Sequence, residues 1–97
     1  MAARITITPE ELRVSSNNFK SKSDEITEIL SYLRSEVDRL EATWDGASQD
    51  QFFIMYEQME QNLKTFPEIL NGISTQLSTV AQTLEETDQS IADSLKG

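Results

Sequence analysis

From Leu12 to Trp44, alternate steps of four and three fall on Leu12, Ser16, Phe19, Ser23, Ile26, Leu30, Leu33, Val37, Leu40 and Trp44. Eight of these ten are apolar, a spacing that holds them on one stripe of an α-helix and matches no strand pattern. Both serines fall in the N-terminal half, which predicts looser packing at that end. After Gly46 the spacing resumes at Phe52, Tyr56, Met59, Leu63, Phe66, Leu70, Ile73, Leu77, Val80, Leu84, Thr87 and Ile91, nearly all apolar or aromatic. The pattern predicts two long helices separated by one break.

The ends of these helices are legible in local chemistry. Thr8 suits the N-cap, Pro9 the first helical position, and Glu11 stands three residues after Thr8 to complete a capping box. Glu10 and Glu11 also favour the positive end of the helix dipole. The break is the stretch TWDGAS, Thr43 to Ser48. Gly46 permits a backbone angle that other residues avoid, and Asp45 or Ser48 can cap the free N–H groups of the second helix. Trp44 lies at the end of the first stripe, where its ring can cover the end of a core. Within the second helix Pro67 removes a hydrogen bond to the carbonyl of Leu63, yet the stripe keeps its phase across it. The expected layout is one all-α domain over 1–97: an αα-hairpin with helix one over about 9–43, a turn at 44–47, and helix two over about 47–94, kinked near Pro67.

Helix lengths carry the argument further. At ~1.5 Å per residue the two arms measure roughly 52 and 72 Å, so the second overhangs the first by about 20 Å. The overhang carries Leu84, Ile91 and Leu95, with no helix of the same chain to cover them. Ile29, Phe53, Met55 and Ile69 flank the stripes and also lack cover in a lone hairpin. A second copy packed antiparallel would close a four-helix bundle with a two-fold interface, making the stripes a shared core and dimer seam.

Composition excludes several functions. Eight Lys and Arg face 17 Asp and Glu, and the net charge of -9 repels phosphate backbones and anionic headgroups, so neither nucleic acid nor a membrane surface is an expected partner. The chain has no cysteine and no histidine. That removes thiolate chemistry, the usual general base and the commonest metal ligand. The pairs Glu57 with Glu60 and Glu85 with Glu86 therefore read as solvated helix faces, and no catalytic residue, metal site or cofactor is expected. The opening MAARITITPEEL has no long apolar run of the kind a conventional signal peptide needs. The densest apolar run, FFIMY at Phe52 to Tyr56, falls far short of the roughly 20 residues of a spanning helix. Composition alone suggests a cytoplasmic protein.

Trp44-Asp45-Gly46 in a hairpin turn near the middle of about a hundred residues, after a Thr-Pro-Glu-Glu cap, resembles the hundred-residue WXG family of ESAT-like type VII secretion proteins. The tail adds Leu84, Asp88, Ile91 and Leu95, which match the hydrophobic, Asp, hydrophobic, hydrophobic pattern of family members from low-GC Gram-positive bacteria. Mycobacterial relatives more often carry tyrosine where Leu84 stands. The resemblance implies folding in the cytoplasm, dimerisation with itself or a related small WXG protein, and secretion without a cleaved signal peptide through a machine driven by an FtsK/SpoIIIE-type ATPase. It also implies that the Trp-x-Gly turn of one subunit and the tail motif of the other form a composite export signal. The competing reading is a cytoplasmic helical adaptor or chaperone-like module.

Overall fold

The computed structural model describes residues 7–96 apart from Asp45, and of Ala47 the backbone alone. Three helices follow in order: α1 (Pro9–Thr43), α2 (Ala47–Leu63) and α3 (Thr65–Lys96). α1 forms one arm of a hairpin, and α2 with α3 forms the other. The start of α1 is a reciprocal capping box. The Glu11 N–H donates to the Thr8 hydroxyl and the Thr8 N–H donates to the Glu11 carboxylate, each at 3.1 Å. Two donors that the first helical turn would leave unsatisfied are thereby used.

The second arm departs from the single kinked helix that the sequence predicts. It divides at Lys64, three residues before Pro67. The physical reason is that proline cannot donate a hydrogen bond and its ring crowds the carbonyl four residues back, so a helix tolerates it only in the first turn. Division at Lys64 puts Pro67 in the first turn of α3. The Thr65 hydroxyl closes the joint by donating to the Asn62 carbonyl at 2.6 Å, and Lys64 keeps near-helical angles of φ -66 and ψ -17. A one-residue interruption of this kind preserves the phase of the apolar stripe. Gly72 has open space where a Cβ would stand, so no close helix contact requires it.

The serines behave contrary to the looser packing expected of them. Ser16 and Ser23 are among the most buried side chains of α1, and Ser74 and Ala81 are buried on α3. Ser16 Oγ donates to the Ser74 carbonyl and Ser74 Oγ donates to the Ser16 carbonyl, each at 2.7 Å. Each hydroxyl has one proton, so the Ser78 hydroxyl, 2.7 Å from Ser16 Oγ, must be the donor to it. Ser23 Oγ donates to the Pro67 carbonyl at 2.9 Å. A side chain as short as serine reaches the opposite backbone only if the two helices approach closely. The small residues thus mark the tightest contact of the hairpin, with every buried hydroxyl of the cluster bonded.

Beyond this contact the molecule is thin. Its extents are 78 × 27 × 16 Å and its radius of gyration is 22.1 Å, against about 12.5 Å for a compact domain of this length. Among the described residues, Leu12, Val37 and Ala81 are the buried apolar side chains. One hairpin therefore holds too little core to account for its apolar content.

Candidate interaction surfaces: turn, tail and apolar stripe

The turn is built on backbone geometry more than on side-chain caps. Trp44 leaves the helix with φ -105 and ψ 120 while its N–H still donates to the Leu40 carbonyl at 2.8 Å. Gly46 follows with φ 126, a conformation that side chains with a Cβ rarely adopt. Gly46 is the N-cap of α2, and its carbonyl accepts from the Gln49 N–H at 3.1 Å. Among the described residues no side chain caps α2, so Ser48 does not play the part expected of it, and Asp45 lies outside the described residues. The Gln49 amide instead ties the two arms by donating to the Glu41 carbonyl at 3.0 Å.

Trp44 is half-buried and packs on the first turns of α2. Its ring lies 5.3 Å from Phe52 and 6.1 Å from Phe53, with the two phenylalanines edge-on at 5.3 Å. This aromatic cluster plugs the turn end of the hairpin while leaving part of the indole at the surface.

The tail begins later than helix lengths alone suggest. Leu84 is half-buried against the hairpin, and Arg13 near the start of α1 pairs with Glu85 at 2.9 Å. From Glu86 to Lys96 every side chain is exposed. Asp88, Ile91 and Leu95 lie on this free segment, Ile91 and Leu95 at 55% and 84% exposure. Their steps of four, three and four from Leu84 place all four residues along one helical stripe. The turn and the tail lie at opposite ends of the long axis, because Arg13 faces Glu85 at one end while Glu41 faces Gln49 at the other.

Between the ends, much of the predicted seam faces outward. Phe19, Ile26, Leu30, Leu40, Phe52, Leu63, Leu70, Ile73 and Leu77 are half-buried and Val37 is buried. Leu33, Met59, Phe66 and Val80 are exposed, alongside Ile29, Met55 and Ile69. Their spacing, 29 with 33, 55 with 59 and 66 with 69, is that of helical stripes. These exposed rows are apolar surface that the lone hairpin leaves without cover.

One charged feature joins the two arms through a contact that sequence spacing does not reveal, that of Glu60 with Arg34. Glu60 of α2 lies 3.6 Å from Arg34 of α1 and 3.8 Å from Lys64 at the break, with its side chain only 12% exposed. This clasp borders an open cleft of about 710 Å³ between α1 and α2, which Thr27, Ser31 and Pro67 also line. The Tyr56 hydroxyl is buried nearby, beside the Glu60 carboxylate. Burial pushes its phenol above the ordinary value, and the Glu60 carboxylate adds to the rise. Of the four acidic residues read as solvated helix faces, Glu60 is instead largely covered by this clasp, whereas Glu57 is exposed, Glu85 pairs with Arg13, and Glu86 accepts from Gln82 at 3.1 Å. Among the described residues no group of three potential ligands is placed to hold a metal, and no helix is long and apolar enough to cross a membrane.

A long helical hairpin, a glycine turn behind a tryptophan and an apolar stripe left partly uncovered together define a small all-α protein. The chain belongs to the WXG100 family, proteins of 100 residues with WXG, whose family model matches residues 4–89. It is accordingly a non-enzymatic helical protein. Protein YukE of Bacillus subtilis (strain 168) is 35% identical over 97 residues, covering 100% of both chains. Type VII secretion system extracellular protein A of Staphylococcus aureus (strain USA300) is 31% identical over 91 residues, 94% of each chain. Among solved structures, EsxA of Geobacillus thermodenitrificans superposes with a TM-score of 0.81 at 33% identity, covering 93% of this chain and 100% of that one.

Proposed function

We propose that this protein is a substrate and co-secretion partner of a type VII secretion system, exported as a folded dimer. The observation that carries the reading is a match over almost the whole chain to a type VII secretion system extracellular protein. The exposed stripe of Ile29, Leu33, Met55, Met59, Phe66 and Val80 supports the dimer, since a second copy packed antiparallel would cover it and complete a four-helix bundle. A related small WXG hairpin could take the same place. Antiparallel pairing also supports a composite signal: it carries the free tail of one chain, with Asp88, Ile91 and Leu95, towards the Trp44–Gly46 turn of the other. The export motor in this reading is an ATPase of the FtsK/SpoIIIE type.

Export and fold can be separated at Asp88, which is exposed on the free part of α3. An exposed charge is worth under about 1 kcal/mol, so Asp88→Ala is expected to keep helicity, dimer mass and melting temperature while sharply reducing the protein recovered from culture medium. Deleting the secretion ATPase should abolish that recovery for the unaltered protein as well. Normal export of the Asp88→Ala variant would defeat the tail signal. Export that ignores the ATPase would defeat the secretion reading in favour of the cytoplasmic adaptor.

A further inference from the structure

We propose that the partner is a second copy of this chain, held in one register: the second arm crosses its copy antiparallel with Ile73 on the two-fold axis. This rests on the dimeric reading of the protein and adds to it the identity of the partner and the alignment. In an antiparallel two-fold pair of helices, residues equally far before and after the axis face each other. A self-complementary arm therefore carries matching side chains at equal distances either side of one position. Ile69 and Leu77 lie four residues either side of Ile73, Phe66 and Val80 seven, and Met55 and Ile91 eighteen. Each distance is close to a whole number of helical turns, so all seven residues share one stripe. Met55, Phe66, Val80 and Ile91 are between 47% and 55% exposed in the single hairpin, so each uncovered side chain meets another uncovered one. At eleven and fourteen residues Asn62 meets Leu84 and Met59 meets Thr87, which brings no charge into the seam.

Charge points to the same crossing. Each chain carries -9, so two copies repel wherever their acids meet. Charged residues make up 26% of the sequence, yet the 16 residues from Ile69 to Leu84 include none, on any face of α3. With Ile73 on the axis this stretch lies opposite residues 62–77 of the copy, whose charges, Lys64 and Glu68, face Gln82 and Ser78. The free tail fixes the register against its neighbours. Leu95, 84% exposed, comes level with Gln51, inside the span of the partner's α2. An axis at Ile69 would carry Leu95 past the end of α2, and an axis at Leu77 would set Phe66 against Asp88. A different hairpin would have no use for this internal match, which is why the partner it fits is a second copy.

Disulfide linking tests the register, and because the chain has no cysteine of its own, introduced ones report alone. Met55→Cys refolded together with Ile91→Cys is expected to form the mixed disulfide at least tenfold faster than either variant links to itself. Ile73→Cys is expected to link to its own copy under the same mild oxidation. Phe66→Cys is expected not to, since its two copies lie about 21 Å apart along the helices, beyond the ~7 Å Cα separation that a disulfide spans. The pair at 55 and 91 sits on exposed positions and decides the outcome if Ile73→Cys disturbs the packing. No mixed disulfide, or self-linking at Phe66, in a protein that light scattering shows to be a dimer would overturn the register and leave the dimer standing. A monomer by light scattering would overturn both.

Discussion

The two halves of the hairpin solve the same packing problem in opposite ways. Where α1 meets α3, small side chains let the helices approach until hydroxyls reach the opposite backbone, and Ser16, Ser23, Ser74, Ser78 and Ala81 close the gap. Where α1 meets α2, a cleft remains, and contact depends on an aromatic cluster at the turn and an ion-pair clasp at the break. The difference teaches that the closeness of two helices follows from the sizes of the side chains facing each other, because each stripe has only one partner and a bulky residue without a matching recess turns outward.

The sharpest way to break the comparison is to put bulk into the close half. Ser74→Leu would replace a fully bonded hydroxyl with a side chain for which there is no room, and would remove the hydroxyl's bond to the Ser16 carbonyl. Strain and the lost hydrogen bonds together should cost about 3 kcal/mol, read as a lower denaturation midpoint. Little or no loss would show that the serine contact is incidental and that both halves are equally loose.

At the turn end a larger deletion should do less damage. Trp44→Ala removes a half-buried ring and its packing on Phe52 and Phe53. A fully buried tryptophan would cost ~3 to 5 kcal/mol, so about 2 kcal/mol is expected here. Denaturation of the purified variant checks the value. A loss equal to that of Ser74→Leu would erase the distinction between the halves.

The smallest effect concerns Tyr56 and alkaline pH. Its folded value lies above the ordinary 10.0, raised first by burial and then by Glu60. A raised value means that the folded state holds the proton more tightly than the unfolded chain. The associated stability is therefore present below pH 10 and is lost as pH rises through the folded value. Melting temperatures measured upward from pH 9 should fall more steeply for the unaltered protein than for Tyr56→Phe. Parallel curves would mean that the phenol is in free contact with water and that the α2 half is more open than drawn.

Much of this was readable in the residues themselves. The cap at Thr8, the helical stripes, the turn at Gly46, the phase kept across Pro67 and the excess of apolar surface over what one hairpin covers follow from local chemistry and periodicity, because each depends on neighbours within a few positions. The resemblance resting on Trp44, Gly46 and the tail pattern was equally visible, and the family match agrees with it. Other features depend on residues far apart in the chain. Whether Ser16 and Ser23 are weak points or close contacts depends on what lies opposite, and Ser74, Ser78 and the Pro67 carbonyl, more than forty positions away, decide it. The clasp of Glu60 with Arg34, the burial of the Tyr56 hydroxyl and the covering of Leu84 up to the pair of Arg13 with Glu85 arise in the same way. Periodicity fixes which side of a helix a residue occupies, but the distance between two helices is a property of the pair, set jointly by the sizes of both faces, and only the tertiary structure decides it.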